Sequence, residues 1–448
     1  MDYLGVFIAV CAVIATIRKD IYGMCCFMAV RILIPESTRF VTNSLSLNTV
    51  IILCVLIVII LKHIKSKNIT LNVRSYPMVL ILLVLYFAVT LPFSDVGDLA
   101  SQYSRLLQFI ITDVIPPVIL FSCLKKDENV VIFVKAYMLI SLVCCVYGIL
   151  VIGMQGMNPY VTLWTGDSTY METWKGVSTS ATFVSNNTFG YYLTMSFPFC
   201  FYIYNVYYKK NWVRLLLILQ IICILFTKKR SAFICLVAFI FMYFVKHLSK
   251  RKLKTLLLGL GLIALGVISI FIFPQFASVK NYIVSSLFFW NDTAVAGLTS
   301  AELGSSWSLR ITQVTYPYTE IENNLLFGHG FGWCSWYLDN FKLHWPLYGF
   351  ETIFSSGICE FGILGYVVYF VIFYSGYKYT KCSKVIKDNY PLLFIMTVII
   401  MAVATGFNYY YLYFSLIVVM NSLRRQLNNE FSRELEISKI WSQKFLLF

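Results

Sequence analysis

Charged side chains are scarce in this chain of 448 residues: 13% are charged, whereas 59% are hydrophobic, and the mean hydropathy is +0.75. A soluble protein of this size needs about a quarter of its residues charged to cover its surface. The missing charge excludes a soluble enzyme and indicates a surface that faces lipid. We therefore interpret the chain as a multi-span membrane protein.

Patterns that bind metals or form disulfides are also lacking. Nearly all of the 13 cysteines fall inside apolar runs, where a thiol behaves as a small hydrophobic group. Cys334 alone lies in a long loop, and there is no CxxC or Cys/His spacing typical of a metal site. We expect no metal, no cofactor and no disulfide framework.

The chain does contain many apolar runs long enough to cross a bilayer. Residues 1–17 lack the basic leader and small-residue cleavage site of a signal peptide, so we expect this first run to be retained. The stretch 20–44 suits either a further span or an interfacial segment, because its apolar part carries Arg31 and ends at Pro35. The other runs predict an all-α, polytopic transmembrane bundle of about twelve spans: 3–17, 46–62, 76–92, 106–124, 129–153, 187–207, 212–227, 231–247, 255–274, 350–376, 390–405 and 407–421.

These runs also define a domain organisation. N-terminal, central and C-terminal groups of spans alternate with two long loops and precede a basic cytoplasmic tail. The bounds, in chain order, are 1–153 for the first spans, 154–186 for the first long loop, 187–274 for the central spans, 275–349 for the second long loop, 350–421 for the last spans and 422–448 for the tail.

Positive charge is in excess, with 36 Lys and Arg against 21 Asp and Glu and a net charge of +15. Because the cations lie in short loops between apolar runs, they indicate orientation in a lipid bilayer, and we expect no nucleic acid partner. The positive-inside rule assigns their side to the cytoplasm, so the long loops 154–186 and 275–349 are expected to be extracytoplasmic. The cation-rich segments are 62–74, 125–126, 209–214, 246–254, 378–387 and 424–425.

One tight turn departs from this charge pattern. Thr227-Lys228-Lys229-Arg230 joins two apolar runs, and the alternation of sides forces it to the extracytoplasmic side. Cations at that membrane edge are costly unless they are paired, so their placement suggests an anionic ligand. The alternative is that the side chains extend to phospholipid headgroups.

Two segments resemble motifs of the O-antigen polymerase/O-antigen ligase superfamily of bacterial polysaccharide assembly. TFVSNNTFG (182–190) is similar to the motif TF-x-NPN-x-F-G/A, with Asn187 on its final Asn and Asn186 where proline is frequent. TKKRSAF (227–233) is similar to the turn T-x-SRGA, with Arg230 on its Arg and Lys229 in place of Ser.

A third block runs from Arg310 through LFGHGFG (326–332) to EFGILG (360–365). It resembles the superfamily pattern R…P-L-x-G-x-G-x-G…HN-x-x-L-x-x-L-x-E-x-G-I-x-G. The family's His and Asn fall on Glu351 and Thr352. Because the resemblance gives that His to the catalytic set of the ligase branch, its absence favours a polymerase of the Wzy type. An O-antigen ligase, or another glycan transferase of the superfamily, stays the alternative.

The resemblance implies a metal-independent glycosyltransferase of the bacterial cytoplasmic (inner) membrane, with its active site facing the periplasm or cell exterior. Its substrate would be an undecaprenyl-diphosphate-linked oligosaccharide, the repeat unit of an O-antigen, capsule or exopolysaccharide. The growing glycan would move to the next lipid-linked unit. A chain-length regulator and a flippase are the protein partners that such an enzyme implies.

Cations suit the departure of a diphosphate, and arginine binds phosphate oxygens through two parallel hydrogen bonds. Arg230 and Arg310 are therefore the candidate catalytic cations. Lys228 and Lys229 are candidate substrate-binding residues, with lipid headgroups as their alternative partners. Glu351, where the second long loop meets an apolar run, is the candidate proton acceptor for the incoming sugar hydroxyl. Its alternative is an interfacial glutamate paired with a cation.

Three further groups have two interpretations each. His329 lies in a glycine-rich turn whose backbone can approach a ligand closely, although such turns are commonly only turns. Asn187 is a candidate for substrate binding or for the N-cap of the following helix. Tryptophans of the two long loops suit stacking on sugar rings or positions at the membrane interface: Trp164, Trp174, Trp307, Trp333, Trp336 and Trp345.

Charged residues inside the apolar runs raise a different class of function. Glu360 is expected to be bonded within the bundle in a structural role. Asp113 and Lys135 suit a transport relay, which is a feature of the alternative that the chain is a lipid-linked oligosaccharide flippase. Transporters tend to have two related halves with binding groups near the bilayer midplane, whereas the polar candidates here gather in loops on one side. This layout favours an enzyme.

Overall fold

The computed structural model describes most of the chain. The predicted span 255–274 and most of the second long loop lie outside the described residues. The described residues are 2–35, 39–40, 45–66, 76–93, 99–165, 177–247, 325–340, 352–381, 389–407 and 409–445, with isolated positions at 280, 281, 284, 314, 315, 318 and 350.

Helices form nearly all of this part. The first seven are α1 (Asp2–Arg18), α2 (Asp20–Leu33), α3 (Leu47–Ser66), α4 (Pro77–Thr90), α5 (Leu99–Phe109), α6 (Ile115–Cys123) and α7 (Asp127–Gly153). The others are α8 (Pro159–Thr165), α9 (Asn186–Tyr202), α10 (Asn211–Phe226), α11 (Arg230–His247), α12 (Trp333–Asn340), α13 (Ile353–Thr380), α14 (Tyr390–Thr405) and α15 (Tyr410–Phe445). Two strands of two residues, β1 (Arg39–Phe40) and β2 (Leu45–Ser46), pair antiparallel between α2 and α3.

Several helices are strongly apolar. Among the described residues, three are long and apolar enough to cross a membrane: Gln102–Cys123, Asp127–Gly153 and Ile353–Thr380. Shorter apolar helices occupy Tyr3–Arg18, Leu47–Lys62, Met78–Thr90, Asn211–Phe226 and Tyr390–Thr405. They agree with the predicted class, a helical membrane protein.

Local sequence explains where the long helices begin. α7 carries two carboxylates in its first turn, Asp127 and Glu128, which the partial positive charge of a helix N-terminus stabilises. α9 begins with a capping box in which Ser185 and Thr188 satisfy each other's backbone N–H groups. α13 begins in the same way at Thr352.

Two predicted segments are longer or more regular than expected. The ambiguous stretch 20–44 contains the helix Asp20–Leu33, followed by the β1–β2 hairpin. The run 407–421 belongs to Tyr410–Phe445, a helix of 36 residues. The expected basic tail at 422–448 therefore continues this helix as far as Phe445, because its polar residues still have good helix propensity although they lack hydropathy.

Two other predicted spans are interrupted. The run 106–124 starts earlier, at Leu99, and passes through a π-helical turn at Ile110–Val114. The run 350–376 is broken at Gly362, where the backbone leaves the helix (φ 62°, ψ −164°). Hydropathy reports only composition, so neither interruption is visible in it.

One end of the bundle, which we name the basic end, is held together by ion pairs between helix termini. Lys62, near the end of α3, lies 2.5 Å from a carboxylate oxygen of Asp20, at the start of α2. Lys19 lies 3.4 Å from Glu128, at the start of α7.

Two arginines of α15 add to this end by binding helix C-termini. Arg424 is buried and donates to the carbonyl of Thr380, the last residue of α13. Arg425 donates to the carbonyl of Leu124, just after α6, at 2.8 Å. Both contacts satisfy carbonyls that a helix leaves without an internal partner.

The opposite end, which we name the motif end, gathers the other termini of these helices. The Thr179 N–H donates to the carbonyl of Phe226 at the end of α10 (2.9 Å). Its hydroxyl donates to the carbonyl of Gly148 near the end of α7 (3.0 Å). Because α7 starts at the basic end, the turn that follows Phe226 lies at the far end of the bundle.

Candidate functional site

The first motif segment, 182–190, is anchored to two helices at the motif end. The Thr182 hydroxyl donates to the carbonyl of Ile32, in the last turn of α2, at 2.6 Å. Ser185 is the N-cap of α9, with extended backbone and a hydroxyl that accepts the Thr188 N–H at 3.2 Å. The alternative that Asn187 caps this helix is wrong, because Ser185 already occupies the cap. Asn187 lies partly exposed in the first turn, and its contact with substrate stays a prediction.

The second motif segment is the tight turn predicted from the sequence. α10 ends at Phe226 and α11 begins at Arg230. Lys228 adopts φ +51°, a left-handed conformation that non-glycine residues rarely take. Strained backbone of this kind is concentrated at functional sites, where the surrounding structure maintains it.

The three cations of this turn are partly exposed at the motif end. Burial lowers the pKa of the Lys228 ammonium below its usual value. The Lys229 ammonium lies 5.5 Å from the centre of the Tyr191 ring, and its Cβ is 3.3 Å from the position of a Cβ added to Gly190. The first and second segments are thus packed together. Partly desolvated cations attract an anion more strongly than fully hydrated ones.

The two halves of the third motif meet in a structure that we name the clasp, formed by the loop 325–332 and the helix break at 359–364. A break leaves carbonyls before it and N–H groups after it without partners in the helix, and here the loop supplies those partners. Four backbone hydrogen bonds join them: His329 N to Cys359 O (2.7 Å), Gly330 N to Glu360 O (2.9 Å), Ile363 N to Leu325 O (2.9 Å) and Leu364 N to Leu326 O (3.3 Å).

Two glycines make this close approach possible. Gly362 has φ +62°, and a Cβ there would lie 2.5 Å from the carbonyl carbon of Leu326. Gly328 has φ +67°, and a Cβ there would lie 2.6 Å from the carbonyl carbon of Glu360. Both distances are far below van der Waals contact, so side chains at these positions are incompatible with the clasp.

Glu360 lies at the centre of the clasp. One carboxylate oxygen accepts the Cys334 N–H at 3.3 Å, and the Gly332 N–H is a second donor. Arg105 of α5 donates to the Gly332 carbonyl at 3.1 Å and lies within electrostatic range of Glu360. The expected bonding of Glu360 within the bundle agrees with this arrangement.

Arg105 is not among the site residues that the sequence predicts. It lies just before the apolar run 106–124, in a polar segment that hydropathy assigns to a loop. The signal that could have found it is its position within one helical turn of a predicted span, where an arginine has to be bonded or hydrated.

His329 lies inside the clasp. It is 8% exposed, and its ring stacks on that of Trp333 at 4.4 Å between centroids. The ring therefore has a packing role in this geometry. Contact between His329 and substrate stays a prediction. Cys334, expected in an open loop, lies in α12 and is buried; burial raises the pKa of its thiol.

The turn between α14 and α15 connects the first two segments with the clasp. The Tyr409 hydroxyl donates to the carbonyl of Thr188, in the first turn of α9, at 3.4 Å. The neighbouring Tyr410 shares a hydrogen bond of 2.8 Å with Tyr369 of α13, and its ring packs against Phe87 beside the clasp. All three motif segments therefore gather at the motif end.

Two of the candidate catalytic residues, Arg310 and Glu351, lie outside the described residues. Trp174, Trp307 and Trp345 lie outside them as well. The structure therefore gives the position of Arg230 but does not measure it against the other two candidates.

The charges proposed for a transport relay lie in different surroundings. Asp113 is buried in the π-helical turn, and one of its oxygens accepts the Tyr411 N–H at 3.3 Å. The Arg31 guanidinium lies 4.2 Å from the centre of the ring of the same residue, Tyr411. Lys135 is exposed, with its ammonium 5.9 Å from the Tyr208 ring. A relay from Asp113 to Lys135 therefore has no support in this geometry.

No protein-family model matches the chain, and comparisons with curated proteins and with solved structures also find no match.

Proposed function

We propose that the chain is a polymerase of lipid-linked oligosaccharide repeat units. In this proposal it transfers the growing glycan from undecaprenyl diphosphate to the next lipid-linked unit. It lies in the bacterial inner membrane with about twelve spans. The motif end faces the periplasm or cell exterior.

The observation that carries the proposal is the gathering of the three motif segments at one end of the bundle. They are far apart in sequence, at 182–190, at 227–233 and, in the described parts of the third block, at 326–332 and 360–365. The packing of Gly190 on Lys229, the bonds of the clasp and the α14–α15 turn join them. Segments that resemble one family's motifs and also meet in space support a shared site.

The chemistry at this end suits a diphosphate leaving group. Arg230, Lys228 and Lys229 provide three partly exposed cations on one turn, where charge that develops on phosphate oxygens would be stabilised. Arginine adds two parallel hydrogen bonds to a phosphate, which a lysine cannot provide.

The charge of the opposite end supports the proposed orientation. The basic end carries Lys19, Lys62 and Arg425, and residues of this type accumulate on the cytoplasmic side of membrane proteins. The motif end would then face away from the cytoplasm, where lipid-linked repeat units are polymerised in this class of pathway.

Replacement of Arg230 tests the proposal. In a strain whose only copy carries Arg230→Ala, we expect the glycan ladder on a gel to collapse to a single repeat. Arg230→Lys should restore part of the ladder, because an ammonium keeps the charge but lacks the planar fork. The matched control is Arg214→Ala, which removes an exposed arginine near the start of α10, at the other end of that helix from Arg230. This arginine binds the Tyr204 hydroxyl at 2.9 Å, and its removal should leave the ladder intact.

The deletion strain separates the alternatives. A ladder that collapses to one repeat supports the polymerase. Full-length polymer left on the lipid carrier would instead identify a ligase, and repeat units that accumulate in the cytoplasm would identify a flippase. Either of these two results contradicts the proposal, as does a full ladder with Arg230→Ala.

A further inference from the structure

A group of stacked rings, which we name the aromatic shelf, lies next to the clasp. The Trp333 ring stacks on His329 at 4.4 Å and on Tyr337 at 4.7 Å, and Phe350 lies 5.8 Å from it. Trp333 is buried, whereas Tyr337 and the neighbouring Trp336 are partly exposed. Partly exposed aromatic rings suit the apolar C–H faces of a sugar, because the electron-rich face of a ring attracts those C–H groups.

A carboxylate lies beside this shelf. Glu360 accepts the N–H of Cys334, the residue that follows Trp333, at 3.3 Å. It is itself partly exposed, although it belongs to the apolar helix α13. Gly332 bridges Glu360 and Arg105, since its N–H donates to the carboxylate and its carbonyl accepts from the guanidinium.

The N-terminus of α12 does not require this carboxylate. The N–H groups that Glu360 accepts would be satisfied as well by a neutral side-chain oxygen, and Ser, Thr or Asn commonly supply one. A charged group in an apolar helix adds a desolvation cost that a neutral cap avoids. A carboxylate adds an electrostatic interaction with Arg105, and it can also accept a proton.

We infer that Glu360 is the proton acceptor of the glycosyl transfer and that the aromatic shelf binds the acceptor sugar. The inference rests on the proposed function. In the transfer step, the acceptor hydroxyl oxygen forms a bond to the anomeric carbon of the donor. The bond from that carbon to the phosphate oxygen breaks, and the diphosphate leaves with the electron pair. The hydroxyl proton passes to the Glu360 carboxylate.

The variants Glu360→Gln and Glu360→Asp distinguish a proton acceptor from a residue that only caps the N-terminus of α12. Glutamine keeps the length and an oxygen that accepts the two N–H groups, but it cannot serve as the base. Aspartate keeps the carboxylate on a stem that is one methylene shorter. A proton acceptor predicts that Gln is the slower variant, by about 10²- to 10⁴-fold relative to the unmodified protein. A cap alone predicts that Gln is close to unmodified and that Asp is the more damaged.

The assay uses purified protein in detergent and lipid-linked repeat units extracted from the deletion strain, with rates taken per mole of folded protein. Glu128→Gln is the matched control, because Glu128 is exposed at the basic end and pairs with Lys19 at 3.4 Å. We expect it to be unchanged. A Gln variant of Glu360 that is as fast as the control overturns the inference.

The shelf is tested with the same substrate. Tyr337→Ala should raise the KM for the lipid-linked acceptor about tenfold with little change in kcat, whereas Tyr337→Phe, which keeps the ring, should not. An unchanged KM for both variants overturns this part of the inference. If Arg230→Ala abolishes polymer and Glu360→Gln does not, the proposed function stands and only the inference fails.

Discussion

The two ends of the bundle are built differently. At the basic end, cations bind carboxylates and helix C-termini, and none of the described residues there has left-handed backbone. At the motif end the backbone itself is irregular. Every described residue with φ in the left-handed region lies there: Gln155, Gly156, Ala181, Lys228, Gly328, Gly330, Gly332, Gly362 and Gly406.

The difference separates stability from chemistry. Bonds between helix termini, as at the basic end, lower the free energy of the folded bundle without requiring unusual backbone. Left-handed backbone and a broken helix raise that free energy, and they persist where a site needs them. Substitutions at the basic end should therefore reduce stability alone. Substitutions at the motif end should reduce stability and activity.

The largest effect is expected from Gly362→Ala. The added methyl group meets the carbonyl carbon of Leu326 at 2.5 Å, in a conformation that alanine disfavours. We expect a loss of more than about 2 kcal/mol of unfolding free energy, together with loss of polymer. Thermal unfolding in detergent measures the loss of stability, and the glycan gel measures the loss of polymer.

Gly153→Ala is the matched control for this change. It lies at the same end, at the end of α7, and no atom lies within 4 Å of its added Cβ. Its unfolding temperature should stay the same or rise slightly. A similar loss for both variants would show that the motif end is generally intolerant and that the clasp is not special.

An intermediate effect is expected from Arg424→Met at the basic end. The change leaves the carbonyl of Thr380 without this donor, for a cost of about 1–3 kcal/mol. Polymer made per mole of folded protein should be unchanged, because the residue lies far from the motif segments. Less polymer per folded molecule would contradict the claim that substitutions at the basic end affect stability alone.

The smallest effect is expected from Lys62→Met. Its ammonium pairs with Asp20 and also donates to the Thr16 carbonyl at 3.0 Å. The side chains of Lys62 and Asp20 keep part of their exposure, at 38% and 25%. Partly exposed pairs contribute about 0.2–1 kcal/mol. A double-mutant cycle with Asp20→Asn measures this coupling by thermal unfolding. A coupling larger than the whole Arg424→Met effect would contradict this order.

Short-range features of the fold could be predicted from the sequence. The turn Thr227–Arg230 was predicted as it is found, because three cations between two apolar runs leave no room for a longer connection. Most helices lie within the predicted runs, since twenty apolar residues in succession favour a helix in lipid. The cap of α9 was placed two residues from its true position, since Asn and Ser have similar cap preference and both are present.

The clasp could not be predicted in the same way. The glycines indicated a turn, and the spacing around Glu360 indicated a motif, but the two segments are about 30 residues apart and no periodicity specifies their pairing. The break at Gly362 is likewise hidden inside an apolar run. Arg105 belongs to the site only because α5 packs beside this pairing, and the base predicted at Glu351 lies outside the described residues.

The break at Gly362 has a mechanical consequence for the loop that fills it. The loop 325–332 forms hydrogen bonds with the backbone groups of α13 at the break. If the loop moved away, these polar groups would lose their hydrogen-bond partners within an apolar helix. The loop cannot swing as a hinged lid. If the proposed function is right, a growing glycan would have to pass by movement of other segments while this loop stays in place.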